Sequence, residues 1–292
     1  MATPFSPDRL VEILRAEGVR VVEYGQWRTH NRNHRGSFGP INGVIIHHTV
    51  SSGTESSVRL CYDGYDDLPG PLCHGVIAKD GTVYLISSGR ANHAGAGDGD
   101  VLAAVTDERA LPSPNDRSAD GNVHFYGFEC INLGNGRDPW PAEQLDAIER
   151  ASAAICRAYG WSSASVIGHK EWTSQKVDPV GFSMADMRAR IERRLGGKPE
   201  QPKPTPPPAA RFEPFPGVGW FKANPRSPIV TAMGRRLVAV GCSAYRQGPG
   251  PQWTESDRQS YARWQRQLGY SGDDADGWPG PTSWAALKVP KV

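Results

Sequence analysis

Residues 197–210, GKPEQPKPTPPPAA, constrain this chain more than any other stretch. They are proline-rich and almost free of large apolar side chains, so they form an extended, semi-rigid spacer that no packed core runs through. The 292-residue chain is therefore expected to fold as two domains, 1–196 and 212–292, joined by a linker over 197–211. All eight histidines precede the linker, the last at His169. Chemistry that needs imidazole belongs to the first domain.

Hydrophobic periodicity sets the class of that domain. Ser6 caps a helix that has Pro7 at its first position, Leu10, Ile13 and Leu14 on one face, and Gly18 as its stop. The apolar runs 43–47, 74–78, 82–86, 125–131 and 164–168 read as strands, several buried on both faces. A helix opens at Pro141 and runs through Leu145, Ile148, Ile155 and Tyr159 to Gly160, and another follows Ser183. Strands mixed with helices in this order predict an α/β domain around one central sheet. The Gly-, Asp- and Ser-rich segment 95–122 has no clear period and is expected to be a long loop forming a groove wall. After the linker, helical patterns at 229–240, 254–269 and 282–287 predict a small all-α module.

Composition narrows the function classes. At 38% hydrophobic and 22% charged the chain has globular composition, and a net charge of +2 demands no nucleic-acid partner. That balance hides an asymmetry: residues 211–292 carry 11 Lys/Arg against 6 Asp/Glu, a charge of +5 that suits an anionic surface, whether wall polymer, nucleic acid or lipid, or is simply a solvated basic face. Five cysteines at irregular spacing imply no disulfide framework and read as reduced and buried. No run approaches a membrane span, and the N-terminus MATPFSPDRLVEIL has no secretory pattern, so the expectation is a protein made in the cytoplasm without membrane insertion.

A hydrolytic zinc site needs about three protein ligands and an open position for water. VIIHHT places His47 and His48 at the end of a strand, where alternation sends one to each face, so at most one of them ligates. VIGHKEWTSQKVDP offers His169 after another strand and Asp178 nine residues later.

Four blocks, VIIHHT, CHGVIAKDGTVYLI with ANHAG, FYGFECIN and GHKEWTSQKVDP, occur in the order found in the type 2 N-acetylmuramoyl-L-alanine amidase family, which the chain resembles over residues 40–195. The resemblance implies a central mixed β-sheet flanked by helices, a Zn²⁺ cofactor held by His47, His169 and Asp178, and hydrolysis of the bond between N-acetylmuramic acid and L-alanine in bacterial peptidoglycan. Lys176 matches the lysine that faces the metal, and its ammonium would stabilise an oxyanion. Glu129 matches the glutamate of the branch that recycles wall fragments. Its apolar neighbours Phe128 and Cys130 are expected to raise its pKa toward that of a general base. His93 in ANHAG matches a position at the substrate, and His74 and Asn132 are further cleft candidates, with His48 and His74 also read as structural. Cys73 departs from the family, two branches of which place an active-site tyrosine there. Either Glu129 then takes the proton transfer, the favoured reading, or the mechanism leans on the metal alone; Cys73 as a fourth ligand would close the water site.

The second domain resembles the three-helix peptidoglycan-binding module. It shares a Trp264-Gln265 pair on its second helix and a turn running from Asp276-Gly277 to Thr282. Trp264 and Trp284 are expected in its core and Trp278 nearer the surface. DDADG at 273–277 lacks a glutamate at the twelfth position of a calcium loop and reads as a turn. A non-catalytic recognition protein or a zinc peptidase are the rival readings. Retention of all three ligands, Glu129 and Lys176 argues against the first. A wall-binding module with no secretion signal points to a phage endolysin, with a host enzyme exported by other means as the alternative; a monomer is expected.

Overall fold

A computed structural model describes residues 2–199 and 212–292; most of the expected linker, 200–211, lies outside the described residues. The chain divides into two compact units, Met1–Lys203 and Pro204–Val292.

In the first unit the elements run α1 (Pro7–Ala16), β1 (Arg20–Glu23), β2 (Gly43–His48), α2 (Thr54–Asp63), β3 (Gly75–Ile77), β4 (Thr82–Leu85), β5 (Ala96–Gly97), α3 (Gly99–Thr106), β6 (Ala119–Asp120), α4 (Gly121–His124), β7 (Phe125–Cys130), α5 (Ala142–Tyr159), β8 (Val166–Gly168), α6 (His169–Trp172) and α7 (Met184–Leu195). Six strands form one mixed sheet in the order β1-β4-β3-β7-β2-β8, while β5 and β6 pair separately. Strands β3, β7, β2 and β8 are mutually parallel, and β4 pairs antiparallel to β3. A mixed sheet flanked by helices is the architecture expected from the sequence.

Period-two alternation divides the core. Val44 and Ile46 of β2, with Tyr126 and Phe128 of β7, pack with Leu10, Leu14, Ile148, Ile155 and Ile191 of α1, α5 and α7. Ile45 and Phe125 point to the opposite face, into a cluster with Val101, Val105, Ile167 and Trp172. The long helix α5 ends where expected, at Gly160 in the left-handed conformation. The segment 95–122 differs from expectation: it carries α3, capped by the Asp98 carboxylate, which accepts from Asp100 N and Val101 N, together with α4 and the β5/β6 pair. Apolar burial of Val101, Ala104 and Val105 stabilises α3 where periodicity over a longer window was too weak to read.

The second unit holds α8 (Val218–Lys222), α9 (Pro228–Ala239), α10 (Glu255–Gln267) and α11 (Pro281–Leu287). Phe221, Val230, Met233, Leu237, Tyr261, Trp264, Trp284 and Leu287 form its core, and Trp278 packs on it half-buried. The DDADG stretch is a short 3₁₀ turn. All five cysteines are free and buried. Among the described residues no helix is long and apolar enough to cross a membrane.

Candidate active site

The carboxyl ends of β2, β7 and β8 lie side by side, the place where open α/β sheets bind ligands. His47 sits near the end of β2, and in the parallel register its partner on β7 is Glu129, so both project from the same face. His169 follows β8 directly, as the first residue of α6. The loop after α6 folds back, with Lys170 N donating to the Asp178 carbonyl at 2.8 Å, and returns Asp178 to His169.

Three side-chain atoms meet there. His47 Nδ1 is 2.9 Å from His169 Nδ1, and Asp178 Oδ2 is 3.2 Å from each. The protons on these rings point elsewhere. His169 Nε2 faces the Ala94 carbonyl at 3.2 Å, which accepts only, so this nitrogen donates. His93 Nε2 donates to the Phe125 carbonyl at 3.1 Å, which leaves His93 Nδ1 to accept from His47 Nε2 at 3.1 Å. Burial, then the neighbouring His169, push His47 down to about 4, and burial holds His93 well below the ordinary histidine range, so both rings are neutral at physiological pH. With Nε2 of each ring committed as donor, the neutral tautomer of either histidine presents a bare Nδ1 to the cluster. Two lone pairs and a carboxylate oxygen then face one another with no proton between them, which is repulsive unless a cation lies among them. Tetrahedral zinc with ligand bonds of about 2.0–2.1 Å separates adjacent ligand atoms by roughly 3.3 Å, so the donor set fits this ion in chemistry and spacing.

A cleft of about 400 Å³ opens over the cluster, lined by His93, Glu129, His169, Lys176 and Asp178 among others. Glu129 Oε2 is buried without a hydrogen-bond partner. Burial first, then the Asp178 carboxylate, push Glu129 up to about 8, while the Lys176 ammonium pulls it down. Lys176 itself is exposed on the cleft wall.

Other expected site residues stand elsewhere. His74 is fully buried; its Nε2 donates to the Gly89 carbonyl at 2.8 Å and its Nδ1 accepts from Gly127 N at 2.9 Å, so it joins two strands' flanks and does not reach the cleft. Asn132 is 1% exposed, donating to the Asp138 carbonyl and accepting from Gly134 N, and it shapes the 132–139 loop. The structural reading of His74 and the placement of Asn132 away from the cleft have one cause: buried backbone groups needed partners, and these side chains supply them. His93 lines the cleft, yet both its ring nitrogens are taken by protein. His48 accepts from Val180 N at 3.3 Å and anchors the loop beyond Asp178. Cys73 is buried among Val58, Cys61, Leu72 and Val76 and is not one of the three grouped ligand atoms. The segment 95–122 supplies no residue to the cleft lining, against the groove wall expected of it.

Sequence reading missed the apolar rim. Val50, Tyr65, Leu68 and Val177 are 69%, 51%, 43% and 68% exposed, and all four line the cleft. Val50 also holds a φ of 50°, rare for a β-branched residue. The one available signal was position, since Val50 and Val177 lie close in sequence to His47 and Asp178.

Residues 37–181 match the family model for N-acetylmuramoyl-L-alanine amidase. This segment is a domain of that family. Similar solved structures include the endolysin amidase LysCS from Clostridium intestinale, 17% identical, covering 60% of this chain and 96% of that one at a TM-score of 0.42. AmiD from E. coli, in complex with an anhydro-N-acetylmuramic acid peptide, is 17% identical, covering 87% and 90% at 0.39. The Ph2119 endolysin from a Thermus scotoductus bacteriophage is 18% identical, covering 59% and 99% at 0.40. No curated protein sequence is significantly similar to the chain. In this amidase the matched segment contains both histidines, the aspartate, Glu129 and Lys176.

Proposed function

We propose that the amidase is zinc-dependent, that it hydrolyses the amide between the lactyl group of N-acetylmuramic acid and L-alanine of peptidoglycan, and that it serves as a phage endolysin. The observation that carries the zinc dependence is the meeting of three potential ligand atoms, His47 Nδ1, His169 Nδ1 and Asp178 Oδ2, beside the Glu129 carboxyl group, which is poised near neutrality. When bound, zinc would supply Lewis acidity and a water whose pKa falls to about 7.

The chain's own residues do the rest. Glu129 Oε2, with no hydrogen-bond partner in the protein, is free to take a proton from the attacking water and return it to the departing L-alanine nitrogen. A group whose pKa lies near the working pH suits both halves of that transfer. Lys176, flexible and cationic on the cleft wall, would hold the carbonyl oxygen as it gains charge. The exposed side chains of Val50, Tyr65, Leu68 and Val177 offer apolar surface to the sugar's lactyl group and the alanine methyl. The second unit, with its charge of +5 over 211–292 and its Trp264-Gln265 and Asp276-Gly277 pattern, would keep the enzyme on the wall.

Mass spectrometry of digested purified walls tests this. The expected products are stem peptides with a free L-alanine amine and glycan strands without new reducing ends. A chelator should abolish their release and zinc should restore it. New reducing ends, or cuts inside the stem peptide, would overturn the assignment.

A further inference from the structure

The two histidines of the cluster are oriented by consecutive residues of one short segment. His47 Nε2 donates to the ring of His93, and His169 Nε2 donates to the carbonyl of Ala94, at 3.1 and 3.2 Å. The direction in which both Nδ1 atoms point therefore depends on where residues 93 and 94 sit. A single buried atom holds them: Asn122 Oδ1 accepts from the backbone N–H of His93 at 2.9 Å, of Ala94 at 2.9 Å and of Gly95 at 3.3 Å. Asn122 is 7% exposed, and its own N–H donates to Asp120 Oδ1 at 3.0 Å. A second, independent feature admits the His93 ring. A Cβ built on Gly127 would lie 2.3 Å from His93 Nδ1, so only glycine at this point of β7 lets the imidazole lie against the strand and reach His47.

We infer that Asn122 and His93 are positioning residues of the metal site: the carboxamide clamps the segment 93–95, which takes the outward proton of each histidine ligand and so directs both bare Nδ1 atoms at Asp178. The inference rests on reading His47, His169 and Asp178 as zinc ligands. Outer partners of this kind fix the tautomer and raise the basicity of the ligand, and their loss typically costs about 10–100-fold in metal affinity. Asn122 contributes through three hydrogen bonds to one oxygen, an arrangement that alanine cannot replace and aspartate can.

The test measures zinc affinity of the full chain by competition with a chromogenic chelator, together with the visible absorption of the cobalt-substituted protein, which reports ligand geometry independently of activity. His93→Ala, which leaves the clamp intact, and Asn122→Ala should each weaken zinc binding about 10–100-fold and change the cobalt spectrum. Asn122→Asp, which keeps the acceptor oxygen, should stay close to the wild type. Should Asn122→Ala not fold, Gly127→Ala, which displaces the His93 ring, is expected to weaken zinc in the same range with an unchanged far-UV circular dichroism spectrum. A folded His93→Ala protein with wild-type zinc affinity and cobalt spectrum overturns the inference alone, provided that His169→Ala abolishes binding. A wild-type chain that takes up no zinc, or a His169→Ala chain that binds it as tightly, overturns the ligand reading and this inference with it.

Discussion

The two units differ in what they do with a few of their buried polar side chains. Among the described residues of the second unit every such group pairs with a complementary one. Asp257 accepts from Thr254 N and Oγ1 and from the Tyr245 hydroxyl, Trp264 donates to the Ser283 carbonyl, and Gln265 both donates to the Trp278 carbonyl and accepts from Gly277 N. Gly277 itself has a φ of 82°, and a Cβ there would lie 2.2 Å from the Arg258 carbonyl oxygen. In the first unit like meets like: two bare imidazole nitrogens and a carboxylate oxygen converge, and Glu129 Oε2 has no partner. The three buried polar atoms without partners among the described residues, in Glu129, Gln144 and Ser152, all belong to this unit. Satisfied polar groups hold a fold together; polar groups left facing one another, or left unpartnered against a cleft as Glu129 is, are where a ligand or a reaction is to be expected.

The sharpest way to break this contrast is to remove a converging atom. Asp178→Ala should reduce bound zinc to background and slow wall cleavage by about 10³-fold or more, since a metal contributes several kcal/mol to the barrier. Metal analysis and a digestion assay read the two effects, and zinc retained at wild-type level would show that the convergence is not a metal site. Glu129→Gln removes the unpartnered carboxylate while leaving the cluster alone. Zinc content should hold while turnover falls by about 10²–10⁴-fold, and undiminished turnover would remove Glu129 from the chemistry. The smallest effect is expected in the second unit. Gln265→Ala leaves Gly277 N and the Trp278 carbonyl unpaired, costing about 1–3 kcal/mol of that unit's stability with no change in turnover of a soluble muropeptide. A matching loss of turnover would mean that the polar network of the second unit is not purely structural.

Much of this architecture was legible beforehand, and the exceptions share a cause. The strands at 43–48 and 125–130 and the helices α1, α5 and α7 follow from long apolar periods with clear caps. Helix α2, TESSVRLCYD, was not read because only Ser57, Val58 and Cys61 are buried, too little for a period to emerge. Strand β1, RVVE, is an edge strand of four residues with no fully buried position. Among site residues, His74 and Asn132 look in sequence much like His47 and Glu129: polar groups beside apolar runs. Whether such a group faces a cleft or a backbone carbonyl depends on segments far away in the chain, such as Gly89 for His74 and Asp138 for Asn132. Asn122 carried no signal at all, since its importance lies in three N–H groups some 27–29 residues earlier.

By itself the sequence determined the inventory and its division: two units, every imidazole in the first, and strands whose alternation makes His47 and His48 point to opposite faces. Only the tertiary structure decided that His47 and Glu129 stand side by side, because the β2/β7 register is set by packing of both strands against the helices and not by either strand alone. It also decided which nitrogen of each histidine is bare. That depends on where the outer proton goes, and its acceptors, His93 and the Ala94 carbonyl, are brought there from 46 and 75 residues away.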